Sequence, residues 1–211
     1  MVHLLVNKQV FWMYSILFML LLLSIGLRAQ PVEPVNTLQL LAVTDDQVEN
    51  LAILKEGMVM DQKTGNWLYP GDIMYGGGVY TTTGEQQAAI YLGGEGLASV
   101  MMRPNTTIII NSKLKDTKKS YLTLVVGRLW ATFAPNKING FAIETYNSIA
   151  SVEGTSFEMT YDPMENHTSI VVHEGVVNLL CKDNLFHSTL LNSGVQATMN
   201  ENCTTRITVQ Q

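Results

Sequence analysis

Hydrophobic and polar residues alternate along residues 141–159, which is the pattern of a β-strand with one buried face. The apolar positions are odd-numbered at first, become even-numbered at Ala150 and Val152, and are odd-numbered again from Thr155 onward. Such a change needs one inserted residue, and Gly154 lies at the change. We therefore predict a β-bulge at Gly154, because glycine adopts the backbone conformations that a bulge requires.

Most of the remaining chain consists of short β-rich runs separated by glycine, asparagine, aspartate and proline. Several of these breaks predict hairpin turns, at residues 61–66, 93–96 and 174–175. Residues 127 and 193–194 mark further breaks within the β-rich part of the chain. One segment, Asp45 to Leu54, is predicted as a short helix. The whole pattern predicts an all-β fold, either a hairpin-rich sandwich or a short solenoid-like β stack.

The N-terminal segment differs from the rest, because residues 10–27 are almost wholly apolar and carry no charge. Lys8 precedes this stretch, and small residues suited to signal peptidase occur near its end, up to Ala29. We predict that residues 1–29 form a signal helix that directs export to the periplasm or the cell exterior. The alternative is an uncleaved anchor, since about 18 apolar residues just span a hydrocarbon core. Residues 10–27 would then be the contact with the membrane.

Behind this segment the chain is predicted to have three parts. Residues 30–54 are a linker and N-terminal segment, residues 55–180 a β domain, and residues 181–211 are C-terminal strands that complete the domain. Residues 1–29 hold two basic residues and no acid, so their removal leaves 11 basic and 18 acidic residues and changes the net charge from −5 to −7. This acidic balance argues against a nucleic-acid partner.

The two cysteines, Cys181 and Cys203, form an even pair in a chain that is predicted to be exported. We therefore predict a disulfide between them, which would tie the C-terminal strand to the domain. The alternatives are two buried thiols, or a catalytic thiol paired with His173 or His187. An oxidising compartment disfavours both alternatives.

The sequence offers no clear constellation for an active site. The glycine run 76–78 would suit a phosphate-binding loop at the start of a helix, but strand-like residues follow it. The chain has no Gly-x-Ser-x-Gly elbow, and His167, His173 and His187 lack metal-ligand spacing. We therefore predict a non-enzymatic protein without a cofactor or a metal site.

Aromatic residues support one alternative function. Trp67, Tyr69, Tyr75 and Tyr80 lie near one another in sequence and could form a platform for sugar rings, as in a secreted carbohydrate-binding or adhesion module. Core packing explains the same residues equally well. Trp130, in a separate run, is predicted to be a core residue.

Several short motifs resemble the FecR-like domain of bacterial envelope proteins. They are, in chain order, Gly71-Asp72, Arg103-Pro104-Asn105-Thr106, Gly127-Arg128-Leu129-Trp130, FAIET at 141–145, ASVEGTSF at 150–157 and VVHEGVV at 171–177. The motifs lie between residues 71 and 177, and the resemblance covers about residues 56–180. The positions that define the fold motif are Phe141, Val152, Gly154, Thr155, Phe157 and Gly175.

The resemblance implies a domain that acts through protein–protein contacts. Many family members have a cytoplasmic anti-sigma region, one membrane span and then this domain, which senses an outer-membrane transporter. Nine residues precede the apolar stretch here, so we do not expect an anti-sigma region. We expect an envelope protein that binds one or more other envelope proteins in the periplasm or at the cell surface, with a role in signal sensing or regulation. A polysaccharide is the alternative partner.

Overall fold

The structure is a computed structural model, and it describes residues 51–92, 98–112, 120–134, 141–184 and 187–209. These residues form fifteen strands and no helix, so the predicted all-β class is confirmed. The strands are β1 (Leu51–Gly57), β2 (Val59–Asp61), β3 (Trp67–Leu68), β4 (Ile73–Tyr75), β5 (Val79–Thr81), β6 (Ala88–Leu92), β7 (Ala98–Met102), β8 (Thr107–Ile110), β9 (Ser120–Phe133), β10 (Phe141–Glu144), β11 (Ser148–Asp162), β12 (His167–Cys181), β13 (Ser188–Asn192), β14 (Val195–Met199) and β15 (Thr205–Val209).

The predicted signal or anchor helix lies outside the described residues. Within the described ranges, no helix is long and apolar enough to cross a membrane.

All fifteen strands are hydrogen-bonded into one mixed sheet rather than into two separate sheets. Its main path runs β15-β14-β12-β11-β10-β9-β7-β6-β1-β4. β13 joins β12, and a branch from β9 continues through β8 and β5 to β2 and β3. β9 and β10 pair in parallel, whereas the long central strands β9, β11 and β12 pair antiparallel.

The two longest strands, β11 and β12, carry a pair of facing glycines. Gly154 has φ 59° and Gly175 has φ 79°, and the pairing register of the two strands shifts between Glu153 and Ser156. Buried side chains in β11 are even-numbered before this point and odd-numbered after it. The register shift therefore lies at the position that the alternation of the sequence predicts.

The predicted hairpin turn at residues 174–175 is instead an irregularity within the sheet, and so are the breaks at residues 127 and 193–194. Gly175 lies inside β12 and Gly127 lies inside β9, so neither strand reverses. β13 and β14 both run antiparallel to β12, so the break at Ser193 and Gly194 leaves the chain direction unchanged. A glycine with positive φ serves a turn or a bulge equally well, and here the neighbouring strands pair with both sides of each break.

The predicted helix from Asp45 to Leu54 is wrong over its described part. Residues 51–54 belong to β1, where Ala52 and Leu54 are fully buried and alternate with half-buried residues. This period of two is that of a strand, and β1 is hydrogen-bonded to β4 on one side and β6 on the other. Residues 45–50 lie outside the described part of the chain.

Two predicted hairpins are confirmed. β2 pairs with β3 across the turn that contains Gly65, which has φ 71°. The Asp61 carboxylate accepts hydrogen bonds from the Lys63 N–H and the Thr64 hydroxyl, both at 2.9 Å. β6 pairs with β7 along its whole length, and the residues that connect these two strands lie outside the described ranges.

The buried apolar side chains form one core. The ring of Phe133 lies 4.5 Å from that of Phe141 and 6.1 Å from that of Phe157. Phe141 also stacks on Tyr121 at 4.3 Å. Phe141 is 1% exposed and Phe157 is fully buried, so two residues of the fold motif anchor the packing of β9, β10 and β11.

A buried polar cluster fixes the turn between β10 and β11. The Thr145 hydroxyl lies 2.8 Å from the hydroxyls of Ser148 and Thr168. The Thr168 hydroxyl donates to Asn147 Oδ1 at 2.6 Å, and the Asn147 amide donates to the Met199 carbonyl at 3.3 Å. Because these partners lie in β11, β12 and β14, the cluster holds the turn against the neighbouring strands.

Candidate binding surface

The structure joins Cys181 and Cys203 by a disulfide, with their Cα atoms 5.5 Å apart. Cys181 ends β12, and Cys203 lies between β14 and β15, so the bond ties the C-terminal strand to the domain. A disulfide sulfur is not a nucleophile, which leaves a thiol–imidazole pair with His173 or His187 without its thiol. In the described ranges, no group of three or more His, Cys, Asp or Glu side chains is arranged to hold a metal ion.

Of the four aromatic residues in the predicted sugar platform, Tyr80 does not reach the protein surface. It is 3% exposed, and its hydroxyl accepts a hydrogen bond from the Tyr75 N–H at 2.8 Å and donates one to the Tyr75 carbonyl at 3.2 Å. Burial raises the pKa of Tyr80, and the hydrogen bond with Tyr75 opposes that rise. Tyr69 and Tyr75 are each 54% exposed, and Trp67 is half-buried. Tyr80 therefore supports the backbone at Tyr75 and offers no ring to a ligand.

An open surface lies on the outer side of β7, β9, β11, β12, β14 and β15, away from the core. Cross-strand pairing arranges its side chains in rows. One row runs through Met101, Trp130, Glu158, Val171, Gln196 and Thr208. The next runs through Arg128, Thr160, Ser169, Thr198 and Arg206. We call these two rows the Trp130 face.

Trp130 is held in a fixed orientation on this face. Its ring stacks on the imidazole of His173 with 4.2 Å between centroids and 7° between planes, and its Nε1 donates to the Ser156 hydroxyl at 3.1 Å. Met101, directly opposite on β7, is 37% exposed. The prediction of a core position for Trp130 is wrong, because its two neighbours in β9 are fully buried and strand alternation turns Trp130 outward.

Two of the sequence motifs meet beside the Trp130 face. The Thr106 hydroxyl accepts from the Arg128 N–H at 3.0 Å and donates to the Arg128 carbonyl at 2.9 Å. A Cβ atom at Gly127 would lie 2.6 Å from that hydroxyl oxygen, so the contact requires glycine. The Thr82 hydroxyl donates to the Arg103 carbonyl at 2.6 Å and accepts from the Thr106 N–H at 3.0 Å. The buried Thr106 hydroxyl thus joins the two motifs into one junction, and the buried Thr82 hydroxyl holds the ends of the first motif together.

Replacing Thr106 by valine is expected to lower the unfolding free energy by about 2 kcal/mol, because the Arg128 N–H loses its hydroxyl acceptor. Urea denaturation of the purified chain measures the effect. Thr198→Val is the matched control on the open face, where we expect a change of less than about 0.5 kcal/mol. Equal effects of the two substitutions would contradict a stabilising role for the Thr106 hydroxyl.

An open cleft of about 460 Å³ lies at the junction of the two motifs. It is lined by Arg103, Pro104, Gly127, Arg128 and Thr160. The Arg128 side chain is 55% exposed, and its Nε lies 3.6 Å from a carboxylate oxygen of Glu158. The cleft therefore presents cationic groups at the border of the Trp130 face.

These features define an all-β scaffold in which the motif residues hold strands together. Residues 78–178 match the family model described as FecR protein, and this part of the chain is similar to that family. The match includes both motifs of the junction, Trp130, and the facing glycines of β11 and β12. Comparison with curated proteins gives no match.

The fold is similar to two solved structures that share one description, a candidate anti-sigma factor from Parabacteroides distasonis ATCC 8503. In each case the TM-score is 0.50 and the sequence identity is 12%. The similarity covers 63% of this chain and 60% of the other, so this chain spans less than two thirds of that protein's length. At this identity the likeness concerns the fold alone.

Proposed function

We propose that this chain is an exported, non-enzymatic protein of the bacterial envelope, whose FecR-like domain takes part in signal regulation by binding another envelope protein. The FecR match over residues 78–178 supports the regulatory role. The observation that carries the binding role is the Trp130–His173 stack on the outside of the sheet, beside the exposed side chain of Met101.

The Trp130 face contains three residue types that are common at protein interfaces, in Trp130, Met101 and Arg128. Tryptophan, methionine and arginine are enriched at interfaces, and tryptophan often carries a large share of the binding energy. Trp130 is already oriented by its hydrogen bond to Ser156 and by its contact with His173. Little side-chain freedom is then lost on binding, which favours affinity.

Trp130→Ala is expected to weaken capture of the partner by at least about tenfold, because an anchoring tryptophan contributes most at the centre of an interface. The test is cross-linking of the tagged full chain in the cells that produce it, followed by affinity capture and mass spectrometry. Tyr146→Ala is the matched control, since Tyr146 is an exposed aromatic residue, 75% accessible, in the turn between β10 and β11.

Two outcomes would count against the proposal. Recovery of no protein above the level of an untagged chain would contradict protein binding altogether. Equal recovery with Trp130→Ala and with the wild type would show that the partner binds elsewhere on the domain.

A secreted carbohydrate-binding or adhesion module is the second candidate. The exposure of Tyr69 and Tyr75, 54% each, supports it, because an exposed aromatic ring can stack on a sugar. Recovery of envelope polysaccharide instead of protein in the same capture experiment would favour this candidate over protein binding.

A further inference from the structure

The cleft at the motif junction places two arginines directly opposite each other. β7 and β9 pair up to Met102 and Leu129, and the next pair along the ladder is Arg103 with Arg128. The Arg103 N–H donates to the Arg128 carbonyl at 2.9 Å, so the backbones are fixed at hydrogen-bonding distance. Both side chains line the cleft together with Thr160.

Like charges at directly opposed positions of neighbouring strands repel each other. Within the described residues, Glu158 is the one acid within 4 Å of either guanidinium, and its distance to Arg128 Nε is 3.6 Å. Two cations and one anion leave one net positive charge at the cleft, in a chain whose net charge is −5. A single bound anion would neutralise this group.

The cleft also contains hydrogen-bond donors that are not paired with described residues. One terminal nitrogen of Arg103 donates to Gln87 Oε1 at 3.1 Å, and the contact of Arg128 with Glu158 uses Nε. The terminal nitrogens of Arg128 and the hydroxyl of Thr160 have no partner among the described residues. A guanidinium with both terminal nitrogens open matches the two oxygens of a carboxylate.

The backbone around these donors is held in place. The Thr106 hydroxyl binds both the N–H and the carbonyl of Arg128, and Gly127 has φ 99° with no side chain to fill the cleft. A binding group whose frame is fixed before the ligand arrives loses little freedom on binding.

We propose that the cleft formed by Arg103, Arg128 and Thr160 binds a single carboxylate group. The source of that carboxylate rests on the proposed function: it is an acidic side chain or the chain terminus of the protein that docks on the Trp130 face. A carboxylate fits better than a phosphate, because one negative charge balances the cleft, whereas a doubly charged phosphate adds repulsion from Glu158 and from the acidic chain.

The test is an NMR titration of the full chain with N-acetylglutamate amide, a probe that carries one carboxylate. Ionic strength is held constant with sodium chloride. We expect saturable shifts of the backbone amides of Arg103, Arg128 and Thr160, and of the Arg128 Nε–H signal. Arg128→Gln should weaken probe binding by about tenfold or more, since it removes the charged fork.

The matched control is Lys63→Gln, which removes an exposed cation from the turn between β2 and β3 and should leave probe binding unchanged. Arg128→Lys keeps the charge without the planar fork and is expected to restore only part of the affinity. Shifts of equal size with chloride alone, tighter binding of inorganic phosphate, or equal probe affinity in Arg128→Gln would each overturn the proposal.

Failure of the carboxylate site and failure of the proposed function are distinguishable. A chain that captures its partner in a Trp130-dependent way but binds no probe retains the proposed function and loses the carboxylate site. If the chain binds the probe but captures no protein, the cleft remains a carboxylate site. The proposal that a protein partner supplies the carboxylate then fails.

Discussion

Gly175→Ala is expected to lower the unfolding free energy by about 3 kcal/mol, since it combines an unfavourable backbone conformation with a steric clash. Gly175 has φ 79°, which alanine adopts only with strain. A Cβ atom there would lie 2.6 Å from the Gly154 carbonyl oxygen and 2.8 Å from Thr155 Cγ2. Because both contacts belong to the bulge of β11, the clash cannot be relieved without shifting the register of two long strands. Urea denaturation of the purified chain measures the loss.

Gly194→Ala separates the two contributions. Gly194 has φ 78°, nearly the same as Gly175, yet a Cβ atom there meets nothing within 4 Å. It therefore carries the conformational strain without the clash, and we expect a loss of about 1 kcal/mol. If the two alanine substitutions destabilise the chain equally, the close approach of β11 and β12 at their facing glycines does not limit stability.

The glycines also mark how much of the fold can be predicted from the sequence. Alternation reveals both the all-β class and the irregularity at Gly154, because burial on one face of a strand is a local property. It does not distinguish a hairpin turn from a bulge at Gly127 or Gly175, since both need a glycine with positive φ. Whether a glycine forms a turn or a bulge depends on its cross-strand neighbours, such as Thr106 beside Gly127. These neighbours are distant in sequence, so the local sequence does not predict them.

The candidate binding surface is harder to predict from the sequence, because it too depends on which strands lie side by side. Arg103 and Arg128 are both visible as motif residues, but their pairing depends on the register of β7 and β9. The size of Trp130 favours a core position, whereas its alternation with Leu129 and Ala131, both fully buried, turns it outward. For Tyr80 the sequence leaves both a sugar platform and core packing open, and its buried ring decides for core packing.

Loss of the disulfide between Cys181 and Cys203 is expected to lower the unfolding free energy by about 3 kcal/mol, because the bond restricts the unfolded chain. The two positions are separated by 22 residues in sequence. For a domain of this size the loss corresponds to a fall in melting temperature of about 6 to 12 °C. Thermal denaturation of Cys181→Ala/Cys203→Asn measures it. Asparagine is chosen at position 203 because Cys203 has φ 60°, a conformation that asparagine tolerates.

The reducing agent dithiothreitol gives an internal control, since it should destabilise the wild type and leave the double variant unchanged. A wild type whose melting temperature does not fall on reduction would contradict a stabilising role for the bond. The turn itself should survive, because Asn200 Oδ1 accepts hydrogen bonds from the N–H groups of Asn202 and Thr204 without help from the disulfide.

The effect of reduction should be strongest at the C-terminal strand. Among the described strands β15 pairs with β14 alone, and Ile207 and Val209 are 49% and 75% exposed, although Ile207 pairs with the fully buried Ala197. β15 thus gains little from apolar burial, and the disulfide fastens the turn before it to the end of β12. Amide hydrogens of β15 should exchange faster on reduction while those of β11 keep their protection, because weakly packed elements open first. Uniform acceleration in both strands would instead show that the bond stabilises the domain as a whole.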